Sequence, residues 1–127
     1  MDRDLADSYL ITCKNAYLSG VYPFNPDFTN TNYYRRIRNV SSQIELKDFI
    51  GYLMEYQYYI NLWTSYFILE DFKPNIDQKL KGMNDELSIV DDCIETVERY
   101  ASGFEKAAQI DSCKIWLDKI KSHYAIG

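Results

Sequence analysis

The sequence predicts an all-α fold, an antiparallel bundle of about four main helices, on three observations. Punctuation is sparse: five glycines and three prolines in 127 residues are too few for a chain of many short strands. Apolar residues recur at intervals of three and four, and no long segment alternates. Hydrophobic residues make up 46% of the chain and charged residues 26%. That is enough for a solvated surface around one core, so residues 1–127 are expected to form a single helical domain.

The first helix is expected from about Asp4 to Ser19. Leu5, Tyr9, Cys13 and Tyr17 lie four apart, with Ala6 and Leu10 beside them, which makes one apolar stripe. Asp2, Asp4 and Asp7 suit the positive end of the helix dipole, and Gly20 suits the C-terminal cap. Residues 20–32 read as a Pro/Asn-rich loop, which Phe24 and Phe28 would pin to the bundle. A short helix follows over Tyr33 to Val40.

Ser42 and Glu45 have the spacing of a capping box. The helix they open is expected to run to Phe72, where Lys73-Pro74 ends it. Leu46, Phe49, Ile50, Leu53, Ile60, Phe67 and Ile68 share one of its faces. In the third helix Ile76, Leu80, Met83, Leu87, Val90, Ile94, Val97 and Ala101 are spaced 4, 3, 4, 3, 4, 3, 4, an unbroken heptad seam. Gly103 marks a turn. The last helix is expected over Phe104 to Tyr124, with Ile110, Cys113, Leu117, Ile120 and Tyr124 on the inner face and Trp116 next to them.

Chemistry-bearing motifs are missing. The one histidine, His123, lies near the C-terminus and reads as a surface residue. There is no Glu-x-x-His for a di-metal bundle, no Cys/His cluster for zinc and no glycine-rich phosphate loop. No catalytic residue, metal or cofactor is therefore expected. Cys13, Cys93 and Cys113 stand at apolar periodic positions and read as small buried hydrophobes rather than a disulfide framework. Met1 to Leu5 has no signal-peptide character, and no run approaches the ~18 apolar residues of a membrane span. A cytoplasmic protein is the expectation.

Three positive features remain. Tyr52, Tyr56, Tyr59, Trp63 and Tyr66 are spaced 4, 3, 4, 3 along the expected second helix, beside its aliphatic face. Together the two faces are wider than one core-facing stripe needs. Either this helix is central and packs on both sides, or part of the stripe binds a partner, since Tyr and Trp dominate interface hot spots. Asp85, Glu86, Asp91, Asp92, Glu95 and Glu98 follow one another with no base between them, in a chain whose net charge is −5. Such a face is either plain solvated surface or a docking surface for a basic protein. Arg35, Arg36 and Arg38 follow Tyr33 and Tyr34. Three arginines in an acidic chain are a weak nucleic-acid footprint, so they are expected to pair with acids of the bundle or of a partner.

In size, charge sign, want of catalytic machinery and this acid-plus-tyrosine surface, the whole chain resembles the small, acidic, helical immunity proteins that bacteria keep against their own nuclease toxins. The resemblance implies stoichiometric inhibition of a basic toxin nuclease domain. Phage-encoded inhibitors of host defence nucleases share the same logic. Three other readings compete: a helical adaptor, a homodimer that completes the broad apolar arc of the second helix, and a small metal-free enzyme using Arg35, Arg36, Arg38 and Glu55.

Overall fold

A computed structural model describes residues 2–80 and 87–126. All regular structure among the described residues is helical, in six α-helices: α1 (Arg3–Leu18), α2 (Asn32–Ser41), α3 (Leu46–Phe49), α4 (Ile60–Phe67), α5 (Ile89–Ala101) and α6 (Ala107–His123). Short 3₁₀ turns cover Phe28–Asn30, Ile50–Met54 and Gln57–Tyr59, and a turn of π-helix, Ile68–Phe72, continues α4.

The first two helices follow the sequence closely. Asp2 caps α1 by accepting the Asp4 N–H at 2.8 Å. At the other end Gly20 takes a left-handed φ of 77°, and the N–H groups of Gly20 and Val21 return to the carbonyls of Tyr17 and Ala16. That is the Schellman arrangement, which a glycine adopts without a Cβ clash. The loop after it is pinned by Phe24 and Phe28, both buried. Its backbone is also held from α6, where the buried Gln109 amide donates to the Pro23 carbonyl at 3.0 Å. Thr31 caps α2.

The long second helix expected from Ser42 to Phe72 does not form, and this is why the described residues hold six α-helices rather than about four. At ~1.5 Å per residue such a helix would be about 46 Å long, whereas a chain of this length packs into a globule roughly 36 Å across. The chain turns instead. Ser42 ends α2, its hydroxyl donating to the Asn39 carbonyl at 2.7 Å, so the capping box is not made. The turn carries Ile44 into the core, 2% exposed. A second break follows Met54: Tyr58 and Tyr59 are both left-handed, with φ of 53° and 58°, and the Asn61 N–H closes the reversal onto the Glu55 carbonyl at 2.9 Å.

The heptad seam is likewise shorter than its pattern. Ile76 is exposed, Leu80 and Leu87 are half-buried outside any helix, and Met83 lies outside the described residues. The helix starts at Ile89, where Ser88 caps it by accepting the Asp91 N–H at 3.1 Å. From there the pattern holds: Val90, Ile94 and Val97 are buried and Ala101 is half-buried. In α6, Cys113, Trp116, Leu117 and Ile120 are buried as expected, while Ile110 is 37% exposed.

Every residue of α4 is buried. A helix covered on all sides is the centre of its domain, and α1 and α5 both pack on α4. Aromatic rings fill the space around it. Tyr66 stacks on Trp116 at 5.0 Å, and Phe24 reaches both Trp116 and Tyr66, at 5.3 Å and 5.8 Å. The hydroxyl of Tyr9, from α1, bonds that of Thr64 at 2.9 Å. The π-turn after α4 sets two adjacent carboxylates on different helices. Asp71 takes a two-pronged bond from Arg38 on α2, at 2.7 and 3.1 Å. Glu70 accepts from Trp116 Nε1 at 2.8 Å and Lys119 Nζ at 3.2 Å on α6.

Candidate functional site

The start of α5 at Ile89 changes what the acidic run is. Asp91 and Asp92 occupy the first turn of a helix, where the macrodipole offsets part of the repulsion among carboxylates. Asp91, Glu95 and Glu98 are exposed and line an open groove of about 580 Å³, with Ile94 and Ile126 among its walls. Asp92 is half-buried, and its carboxyl is raised above the usual range, first by burial and then by Glu95, with Arg99 opposing. Asp85 and Glu86 lie outside the described residues. Across the groove Lys121 of α6 reaches Glu98 at 3.6 Å, an exposed pair of the kind that contributes ~0–1 kcal/mol. Among the described residues no ion pair engages Asp91 or Glu95.

The aromatic stripe is not a surface. With the helix broken, its five residues lose their common face. Trp63 is fully buried, and Tyr66 and Tyr52 are 3% and 8% exposed; these three belong to the core. Burial pushes the Tyr66 phenol, the most affected of them, far above its ordinary range, and its bond with Tyr34 adds to this. The breadth of the apolar arc is thus explained by a central helix, and α4 leaves no residue for a second copy to cover.

Tyr56 and Tyr59 go elsewhere. Tyr56 is 63% exposed, and Tyr59, half-buried, joins a cluster of tyrosines that the spacing did not reveal. Tyr17 of α1 lies 5.4 Å from Tyr58 and 5.7 Å from Tyr59. Tyr22 lies 5.2 Å from Tyr59, and Tyr100 of α5 lies 5.5 Å from Tyr59. The Tyr100 hydroxyl is fixed by donating to Asn61 Oδ1 at 2.6 Å. An open groove of about 500 Å³ runs over these rings. Two consecutive left-handed tyrosines hold it in place, a conformation that costs about 1–3 kcal/mol at each bulky residue and gathers at functional positions. Arg99 lines the acidic groove and also a smaller depression against Tyr56 and Tyr100. Tyr17, Tyr22, Tyr58 and Tyr100 were missed because they come from separate segments; only the count of 12 tyrosines hinted at them.

Comparison of the chain with protein-family models, with characterised proteins and with solved structures found no match.

Two of the three candidate arginines are held by other residues, and the cysteines are buried. Arg38 is bound to Asp71, and Arg35 donates to Asn32 Oδ1 and the Asn30 carbonyl. Arg36 and Glu55 are exposed, and His123 sits exposed on the last turn of α6. The three cysteines are free and fully buried, and burial raises all three thiols, that of Cys113 to about 12. Among the described residues no His, Cys, Asp or Glu side chains group as a metal site, and no helix is long and apolar enough to cross a membrane.

Proposed function

We propose that the protein acts by binding, as a stoichiometric inhibitor that docks the acidic groove of α5 on a basic protein surface such as a nuclease active site. The supporting observation is that Asp91 and Glu95 stand exposed on the wall of an open groove and, among the described residues, have no ion-pair partners. Paired carboxylates of this kind complement the cations that a nuclease uses to hold phosphate. Complementary charge speeds encounter and selects the partner, and its influence fades as salt shortens the Debye length. Asp92, half-buried, is not among the residues that line the groove.

The test is capture of the partner from the native cell, followed by association kinetics with the purified pair. The captured protein should be basic, and one equivalent of inhibitor should abolish its nuclease activity. A triple variant, Asp91→Asn, Glu95→Gln and Glu98→Gln, should associate about tenfold more slowly at low salt while keeping its circular dichroism. An acidic captured protein, or an unchanged association rate, would overturn the reading.

A further inference from the structure

The tyrosine cluster has features that core packing does not explain. Tyr56 and Tyr17 are 63% and 39% exposed, yet the backbone at Tyr58 and Tyr59 is held left-handed so that their rings gather at the surface with Tyr17. Four separate segments supply the rings: α1, the loop after it, the turn before α4 and the end of α5. Their planes are tilted or edge-on to one another, so ring faces are left open to the groove. One cation already uses such a face: Lys14 Nζ lies 5.7 Å from the centre of the Tyr58 ring.

We propose that this groove binds a guanidinium group, the side chain of an arginine on the basic partner. The assignment rests on the proposed function for the partner's charge, and on the geometry here for the residue type. A ring face attracts a cation through its quadrupole. The groove is open rather than a closed box, and it is lined by Tyr17, Tyr56, Gln57 and Tyr59. A planar guanidinium can lie flat on one ring while its edge donates to phenol oxygens, whereas a compact, more strongly hydrated ammonium makes no such planar contact. A carboxylate also acts at the site, that of Glu105 on Tyr59. Lys14 and Arg99 border the site, and Lys14 competes for the Tyr58 ring.

The experiment is an NMR titration, observed at the tyrosine rings, with the peptide acetyl-Gly-Arg-Gly-Arg-Gly-amide and its lysine and citrulline counterparts. The arginine peptide should shift the rings of Tyr17, Tyr56 and Tyr59. The lysine peptide should bind several-fold more weakly, and citrulline, which keeps the shape without the charge, about tenfold or more. Tyr56→Ala should weaken the arginine peptide while Tyr56→Phe retains it, because the ring face and not the hydroxyl holds the cation. Lys14→Gln should tighten it. Tyr56 is exposed, so its variants keep the fold, as circular dichroism can verify. Equal binding of the citrulline peptide, or silence of the rings, would overturn the assignment. The triple variant of the α5 groove separates the two readings. If it still inhibits the nuclease while the rings respond to arginine, the docking role of α5 fails and the guanidinium site stands. If it loses the partner while the rings stay silent, the reverse holds.

Discussion

The buried thiols make the clearest pH statement. Cys113, fully buried, is raised from 9.0 to about 12 because a thiolate there would have no water around it. In the unfolded chain the thiol ionises near its ordinary value. Between about pH 9 and about 12 the unfolded state therefore binds fewer protons than the folded one, and stability falls as pH rises through that window. Cys13 and Cys93, raised by the same burial, act in the same direction. Urea denaturation from pH 8 to 10.5 should show a steady loss. At pH 7.5 a disulfide reagent should leave all three thiols unmodified in the native protein and react with all three in denaturant. Asp92 gives the opposite test. Its carboxyl is raised by burial and by Glu95, so the charged form is disfavoured in the fold. Asp92→Asn should raise the melting temperature at pH 7, and the gain should vanish at acid pH, where the native carboxyl is protonated and its penalty is gone.

Among the elements, two serines carry the same sequence signal with opposite outcomes. Ser42 and Ser88 each stand three residues before an acid, Glu45 and Asp91, and only Ser88 caps a helix. Ser88→Ala should cost about 1 kcal/mol by chemical denaturation, while Ser42→Ala should stay within about 0.5 kcal/mol, as surface changes do. The contrast explains what the sequence could reveal. Helices α1, α2 and α6 were legible from signals at their ends: Asp2 and Gly20 around α1, the Pro/Asn-rich loop before α2, and the Gly103 turn before α6. The region between Ser42 and Ala101 was not. Its 3–4 spacing runs through two breaks, since periodicity registers faces and is blind to a reversal that returns in phase. Gly51, Gly82 and the globule's diameter were the available warnings. The acid run was read correctly as exposed at Asp91, Glu95 and Glu98. Of the two readings of the tyrosine stripe, packing around a central helix holds for Tyr52, Trp63 and Tyr66, which lie in the core.

At the scale of the molecule, one aromatic network joins early and late parts of the chain. Trp63 meets Phe28, Tyr34, Tyr66 and Phe67, and Trp116 meets Phe24 and Tyr66. Unfolding should therefore be a single transition. The fluorescence of the two tryptophans and the far-UV circular dichroism should follow one urea curve with a common midpoint; separated curves would mean that α6 detaches before the rest. Trp116→Ala should cost about 3–5 kcal/mol, because it removes a ring of the core and leaves Glu70, set on the π-turn, without its indole donor.

That donor has a consequence for the newborn protein. Glu70 and Tyr66 wait for a residue that the ribosome adds some fifty positions later, judging by the 46-residue separation of the Glu70–Trp116 bond. Until α6 has left the exit tunnel, the rings of Phe24 and Tyr66 lack their cover and the centre of the domain is open to water. Partly made chains would thus expose the greasy surface that chaperones grasp. Ribosome-stalled chains ending at Gly103 should be digested rapidly by protease, and chains with α6 fully emerged should resist it.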